Sequence, residues 1–313
     1  MVYKCAGEKM GLNKKGIFFM MLTIILLSLF LISSTFLSAY AMRKSVQKRV
    51  ESLSDFVSET EEDLERQIFV FGFRTIFLIQ GKIVDTGQPS SSVRDIFQEA
   101  FFNQTINDEI QPLLIDASFV DIVERIQNRA GIVSANVSFS NPIINITQDD
   151  PWNLKVTFTS DFFVEDGNHL ASWNKTLVST TYISIENFTD PVYTRETNNE
   201  WNPYIVRTPF TNFTLDNLTD QVENTYYKEH VGAPSFIDRL EGNFDPPGDG
   251  ANGIESLVYL PNPVLGGSLD KSVVDYIYFS SLDPVDTCQI VGMPSWFRLD
   301  PGHTGEYGAV CVE

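Results

Sequence analysis

An uncharged apolar segment near the N-terminus limits the possible folds of this chain more than any other feature. Between Gly16 and Met42 there is no charged residue, and the stretch 17–32 is almost wholly apolar. A helix needs about 20 apolar residues to cross the bilayer, whereas the apolar core of a secretory signal is only about 7–15 residues long. We therefore predict that residues 16–42 form a transmembrane helix in membrane lipid. The Ala-x-Ala motif at 39–41 leaves open a cleaved signal.

The orientation of this segment is indicated by potential glycosylation sites rather than by flanking charge. Four lysines precede it and four basic residues follow it, so the positive-inside rule is close to a tie. Seven N-x-[ST] sequons follow the segment. They begin at Asn103, Asn136, Asn145, Asn174, Asn187, Asn212 and Asn217. We therefore predict a cytoplasmic leader (residues 1–15), a single-pass cell-membrane protein, and an extracytoplasmic, glycosylated portion from residue 43 onward.

Charge is distributed unevenly along the chain and excludes one class of partner. The first 50 residues contain eight Lys and Arg and one acid, whereas the remainder contains 40 acids and 14 basic residues. A surface this acidic repels phosphate backbones. We therefore predict no nucleic-acid binding and interpret the charge as a means of solubility.

The cysteines divide between the two predicted compartments. Cys5 precedes the membrane segment, whereas Cys288 and Cys311 lie near the C-terminus on the oxidising side. We predict a disulfide between Cys288 and Cys311, which would stabilise the fold by roughly 3–4 kcal/mol. The alternative is two buried thiols that never meet.

Periodicity beyond the membrane segment predicts an α+β fold. A helical stripe continues through a stalk region (residues 43–130), with further helices at 91–102 and 117–129 and a buried helix end at 68–79. The stripe consists of Val46, Val50, Leu53, Val57, Leu64, Ile68 and Phe71. Either it packs against partner subunits through the first four of these residues, or the helix packs against its own domain.

The pattern changes to strict alternation at residue 131. Residues 131–190 are typical of a half-solvated antiparallel β-sheet, with Asn136 on its polar face. The remaining residues, 191–313, are rich in Pro, Gly, Asn and Asp and predict an irregular α+β region. In it we expect a helix at 234–241 and strands at 255–260 and 272–280.

The sequence gives little indication of catalysis. No recognised catalytic or nucleotide-binding motif occurs, so we predict no enzymatic activity and no required cofactor. The three histidines share no ligand-type spacing and are expected in solvated loops. A loop rich in oxygen donors, containing Asp245, Asp249 and Asn252, is a candidate calcium site, with a plain turn as the alternative.

Lys14-Lys15-Gly16, followed at once by the apolar run, resembles the leader of archaeal type IV pilin-like proteins. The resemblance implies cleavage after Gly16 by a prepilin peptidase, giving a mature N-terminus at Ile17. Met21 stands where many pilins carry glutamate. A hydrophobic helix, an amphipathic continuation, a sheet-containing head and a C-terminal disulfide are also pilin-like. Three segments that begin at Ala171, Ile183 and Gly253 resemble segments of archaeal surface proteins, which implies a lineage and no activity.

The resemblance implies a non-catalytic surface subunit, most simply a minor pilin or tip component. Its N-terminal helix would lie in the membrane before assembly and contact other pilin-like subunits afterwards. The alternative is a standalone membrane-tethered binding or adhesion module with the same topology and an uncut anchor. Processing of the N-terminus distinguishes the two.

Overall fold

The computed structural model describes residues 14–244, 252–265, 270–280 and 286–312, which form an α+β fold as predicted. The helices are α1 (Lys14–Thr86), α2 (Val93–Asn103), α3 (Phe119–Ile132), α4 (Pro191–Glu196), α5 (Leu215–Glu223), α6 (Phe236–Glu241), α7 (Asp275–Phe279) and α8 (Pro301–Glu306). The strands are β1 (Thr105–Ile106), β2 (Glu109–Ile110), β3 (Ala135–Asp150), β4 (Asn153–Asp166), β5 (Ser172–Ser184), β6 (Lys228–Val231), β7 (Asn252–Glu255), β8 (Cys288–Gln289) and β9 (Arg298–Leu299).

Helix α1 is one continuous element with two different environments. At 1.5 Å per residue, its 73 residues extend for about 110 Å. Residues 16–45, which we call the exposed segment, are not covered by the rest of the chain, and this part is long and apolar enough to cross a membrane. From Leu53 onward one face of the helix is buried against the rest of the chain, which we call the head. The prediction that the apolar N-terminal helix continues as a long amphipathic helix is therefore confirmed.

The buried part of α1 corrects one expectation about its apolar stripe. Leu53 and Val57 are 1% and 6% exposed within the head, so the prediction that they pack against neighbouring subunits is wrong for these two residues. Val46 is half-buried and Val50 is exposed. The helix also continues past 79 to Thr86, where Gly87 turns the chain with a φ of +65°. Most of the exposed apolar surface of α1 therefore lies N-terminal to Leu53, although Phe69, Phe73 and Phe77 are also exposed further along the helix.

The predicted antiparallel sheet is a meander of three long strands in the order β3-β4-β5. Val137 pairs with Val164 across β3 and β4, and Leu154 pairs with Ile183 across β4 and β5. The residues of β4 that face the helices are buried, as strict alternation requires. They are Leu154, Val156, Phe158, Phe162 and Val164.

Helices α1, α2 and α3 pack on this sheet and form a helix-on-sheet core. Phe71 of α1 contacts Phe101 of α2 with ring centroids 4.8 Å apart. At Gly72 a Cβ atom would lie 2.6 Å from Ile183 Cδ1, so glycine lets α1 approach β5 closely. The predicted helices at 91–102 and 117–129 are confirmed as α2 and α3. Helix α3 passes Gly131 and ends at Ile132, because Gly131 does not adopt positive φ and the left-handed residue that follows the helix is Ser134.

The C-terminal region matches the sequence prediction only in part. The predicted helix at 234–241 is α6. The strand expected at 255–260 is wrong, because β7 ends at Glu255 and beyond it Leu257 makes only an isolated bridge to Val274. The strand expected at 272–280 is wrong, since most of it is α7. Short apolar runs do not distinguish a buried helix turn from a strand by periodicity alone.

The predicted disulfide between Cys288 and Cys311 is present, with the two Cα atoms 5.5 Å apart. It links β8 to the C-terminal residues, where Ile290 also bridges Cys311. The covalent link therefore closes the last part of the chain onto the β8–β9 pair.

Removing this disulfide is expected to destabilise the protein. We predict that Cys311→Ser lowers the free energy of unfolding by roughly 3 kcal/mol, because the unfolded chain regains loop entropy. Urea unfolding of wild type and variant measures this. Cys5→Ser is the matched control and should leave the urea midpoint unchanged. Equal midpoints for Cys311→Ser and wild type would contradict the prediction.

The Glu99 carboxylate of α2 organises the tight β1–β2 turn. It accepts hydrogen bonds from Thr105 Oγ1 at 2.7 Å and from the backbone N–H groups of Asn107 and Asp108 at 3.1 and 2.8 Å. Asn107 and Asp108 both have positive φ, as a two-residue hairpin turn requires. Burial raises the pKa of Glu99, but these hydrogen bonds outweigh it and hold the pKa below its usual value of 4.5.

This lowered pKa predicts a pH-dependent hairpin. Because the folded state favours the charged carboxylate, its stabilising contribution is present above pH 4.5 and is lost as the pH falls below that value. Amide exchange at Asn107 and Asp108, followed from about pH 7 to about pH 3 after correction for intrinsic rates, should show loss of protection. Glu99→Gln should be less protected at neutral pH and should lose this pH dependence. Parallel pH profiles would contradict the prediction.

Candidate functional site

Two of the three histidines lie in a polar cluster of the head instead of in solvated loops. His303 is 4% exposed, and the side chain of His230 is 18% exposed. The expectation of a solvated loop is therefore wrong for both. It holds for His169, which follows β4 and has a largely exposed side chain paired with Glu165. The rings of His230 and His303 are tilted by 38° to each other, with centroids 4.8 Å apart.

The β6–β7 pair positions the first part of this cluster. His230 pairs with Gly253 in the antiparallel register, and Glu255 lies at the end of the same pair. A Cβ atom at Gly253 would overlap the carbonyl oxygens of Ala233 and Pro234, so glycine permits this close approach. The short strands thereby place His230 and Glu255 side by side.

Helix α8 contributes the remaining polar groups. Asp300 caps the helix by accepting a hydrogen bond from the Gly302 N–H at 3.0 Å, and Pro301 occupies the first turn. The same carboxylate lies 2.8 Å from His303 Nδ1. One aspartate therefore both starts the helix and fixes the orientation of the imidazole ring.

The buried Glu255 carboxylate is the centre of the cluster. Its Oε2 lies 3.1 Å from His303 Nε2 and 3.4 Å from His230 Nδ1. Its Oε1 accepts a hydrogen bond from the Tyr307 hydroxyl at 2.8 Å, and the Tyr276 hydroxyl lies 3.2 Å from His303 Nε2. We call His230, Glu255 and His303 the His–Glu–His cluster, since one ligand-type atom from each lies within 4.8 Å of the others.

Electrostatics in this cluster favour a cation between the carboxylates. Burial lowers the pKa of His303, but the hydrogen bonds and charges of Asp300 and Glu255 outweigh it and raise the pKa to about 9. Burial likewise raises the pKa of Asp300, but His303 and Ser272 lower it to about 2. Burial and the negative charge of Glu255 raise the pKa of Tyr276. The carboxylates of Asp300 and Glu255 therefore stabilise a positive charge placed between them.

The cluster opens onto the protein surface on one side. A cavity of about 560 Å³ is lined by His230, Lys228, Glu229, Val231, Pro151 and Glu306. The Lys228 ammonium pairs with the Glu306 carboxylate at 2.8 Å across this cavity. A small ion or ligand in solvent can therefore reach His230.

A second buried polar network lies beside the first and is structural in character. Arg239 is fully buried, and its Nη1 lies 2.7 Å from Asp190 Oδ2 and 3.0 Å from Asp275 Oδ2. The Tyr227 hydroxyl donates to Asp190, and the hydroxyl of Ser256, the residue after Glu255, donates to Asp275. Burial lowers the pKa of Arg239, but the two aspartates more than compensate and raise it, so the guanidinium stays charged.

The other predicted site residues fall in several places. Five of the sequon asparagines are exposed, whereas Asn145 and Asn217 are partly buried. Lys14, Lys15, Gly16 and Ile17 form the start of α1. In the candidate calcium loop, Asp245 and Asp249 lie outside the described residues, and Asn252 begins β7. The structure does not bring the sequon asparagines, the leader residues and the disulfide into one site.

The sequence alone did not predict the His–Glu–His cluster, because its three residues come from separate segments of the chain. The available signal was Asp300-Pro301, an N-cap followed by a first-turn proline, which predicts the start of α8 and thus the fixed position of His303.

The chain matches no known protein family, curated protein or solved structure. Its possible functions are therefore argued from its own residues.

Proposed function

We propose that this protein is a non-catalytic, membrane-anchored surface protein, and specifically a pilin-like minor subunit of a surface filament. The observation that carries the proposal is the exposed segment of α1, which is apolar on every side and remains uncovered by the head. An apolar helix of this length requires either lipid or other apolar helices around it. A pilin-like subunit uses both, first in the membrane and then in the filament.

Polar atoms within the exposed segment are compatible with a hydrocarbon environment. The hydroxyl of Thr23 donates to the Phe19 carbonyl at 3.0 Å, and Ser28 donates to the Ile25 carbonyl at 2.8 Å. Ser34 and Thr35 make the same kind of bond within the helix. Because a bilayer offers no water to satisfy such groups, internal pairing supports residence in lipid.

The link between α1 and the head supports a subunit role over a loose tether. The helix continues without a break from the exposed segment into the core. Arg49 pairs with the buried Asp166 of the sheet at 2.9 Å, and Arg129 of α3 pairs with Asp63 at 2.8 Å. Helix and head therefore form one unit, so that packing of the helices in a filament would fix the positions of the heads.

The exposed sequons support an outward-facing, glycosylated head. Asn103, Asn136, Asn174, Asn187 and Asn212 present exposed side chains. The Asn217 amide instead donates to the Asn212 carbonyl at 2.9 Å. This geometry favours glycans on the five exposed asparagines and an unmodified Asn217.

The alternative function is a standalone membrane-tethered extracellular binding or adhesion module. It is favoured by the open cavity beside Lys228, Glu229 and Val231, which could receive a ligand without any filament. In this case lipid alone would cover the exposed segment.

Cysteine crosslinking distinguishes the two functions. Ser28, Ser34 and Ser38 would each be replaced by Cys in a Cys5→Ser background, and native cell surfaces would be oxidised. Neighbouring helices in a filament should give disulfide-linked species. Ser172→Cys, on the exposed edge of the head, is the matched control and should give few disulfide-linked species. Expressed, surface-exposed protein that crosslinks at none of the three helix positions would contradict the filament proposal and leave the tethered module.

A further inference from the structure

We propose that His230, Glu255 and His303 form a binding site for a divalent transition metal of the zinc class, open to solvent through the cavity beside His230. This inference does not depend on filament assembly and holds equally for a tethered module.

The spacing of the ligand atoms suits such an ion. Tetrahedral zinc with bonds of about 2.0–2.1 Å separates its ligand atoms by about 3.3 Å. Glu255 Oε2 lies 3.1 Å from His303 Nε2 and 3.4 Å from His230 Nδ1. The two nitrogens are within 4.8 Å of each other, so the His230 ring must move toward His303 for this third edge to reach about 3.3 Å when an ion binds.

His230 Nδ1 supplies an independent reason to place an ion here. This nitrogen is buried and has no hydrogen-bond partner among the described residues. It is nevertheless directed at the Glu255 carboxylate from 3.4 Å. An unpaired buried polar atom is destabilising, and coordination to a metal would satisfy this nitrogen.

The groups around the ligands are those that support a metal site. Asp300 holds His303 Nδ1 at 2.8 Å, which directs Nε2 toward Glu255 in a carboxylate–histidine–metal arrangement. The Tyr307 hydroxyl donates a hydrogen bond to the other Glu255 oxygen, Oε1, at 2.8 Å, which leaves Oε2 available. Two of the three ligands, His303 and Glu255, are therefore each oriented by a further residue.

Charge also favours a dication. Glu255 and Asp300 are two buried carboxylates, and among the described residues the basic side chains paired with them are His230 and His303. Burying carboxylates without compensating charge is costly. One divalent cation bound to neutral imidazoles would balance both negative charges.

The donor set selects the class of metal. Two imidazole nitrogens and one carboxylate oxygen suit zinc and similar transition ions, whereas calcium and magnesium require mainly oxygen ligands. His230 faces the cavity, so water can complete the coordination on that side. A bound ion would link α8 to the β6–β7 pair and thereby stabilise the C-terminal region.

Metal binding by the full-length chain in detergent tests this proposal. Chelator-treated Cys5→Ser protein would be dialysed against ZnCl₂ and analysed by elemental mass spectrometry, with thermal unfolding in ZnCl₂, CaCl₂ and MgCl₂ alongside. We expect about one zinc per chain and a rise in Tm of about 5–10 °C at a hundredfold excess over Kd. Calcium and magnesium should give no comparable rise. Cobalt(II) should give the visible absorption of a tetrahedral site.

Matched variants assign the metal to this cluster. His230→Gln lies at the rim, so it should fold, and it should weaken zinc binding at least about tenfold and abolish the cobalt spectrum. His169→Gln, at the exposed histidine beside Glu165, should bind as wild type does. Near-ultraviolet circular dichroism of the metal-free variants establishes that each is folded. Folded wild-type protein without zinc uptake, or undiminished zinc binding by His230→Gln, would overturn the proposal.

Discussion

Replacing Arg239 with Ala is expected to lower the free energy of unfolding by about 3–5 kcal/mol, one of the largest effects of any single substitution in the head. The guanidinium is fully buried and joins Asp190, Asp275 and the Ile254 carbonyl. Without it, two buried carboxylates face each other with no compensating charge. The loss therefore comes mainly from the groups left behind rather than from the contacts removed.

Chemical unfolding of Arg239→Ala beside a matched surface variant measures this effect. Arg66 also pairs with an aspartate, Asp63, but at 3.7 Å and with 73% of its side chain exposed. Arg66→Ala should therefore change stability by less than about 1 kcal/mol. Similar losses for the two arginines would contradict the structural role assigned to the buried network.

The second large effect concerns the exposed segment of α1. Removing residues 1–42 is expected to convert a protein that requires detergent into a soluble, monomeric head of nearly unchanged thermal stability. The reason is that residues 16–42 make no buried contact with the head. Size-exclusion chromatography without detergent and thermal unfolding measure both properties.

A longer truncation is the matched control for this experiment. Removing residues 1–58 also deletes Leu53, Phe56 and Val57, which are buried in the core. Loss of each large apolar side chain costs about 2–5 kcal/mol, so the longer truncation should unfold or aggregate. Equal stability of the two truncated forms would show that the boundary between exposed segment and head is misplaced.

The sequence predicted those parts of the fold that depend on local periodicity. The apolar run, the continuation of its helix, α2, α3 and the β3–β4–β5 sheet all follow from patterns of 3.6 or two residues. The disulfide was also predicted from the sequence, because only two cysteines follow the apolar segment. The helices and strands depend on residues that are close in sequence, and the disulfide prediction depends on the number of available cysteines.

Long-range packing decided the features that the sequence did not predict. The short apolar run at 273–279 fits either a strand or a buried helix turn, and it forms α7, in which the Asp275 carboxylate meets Arg239 and Ser256 from distant segments. In the same way, His230 and His303 are in polar sequence surroundings and become neighbours only through the β6–β7 pair and α8. Whether Leu53 packs within the head or against another subunit also depended on tertiary contacts.

N-terminal sequencing of the protein isolated from native cell surfaces tests the filament proposal most directly. Gly16 is exposed, and among the described residues no atom lies within 4 Å of the position its Cβ would take, so the head does not cover the predicted cleavage site. A pilin-like subunit should begin at Ile17. A chain that still begins at Met1 or Val2, from cells with active prepilin peptidase, would contradict the filament function and support the tethered module, and a chain that begins at Met42 would contradict both.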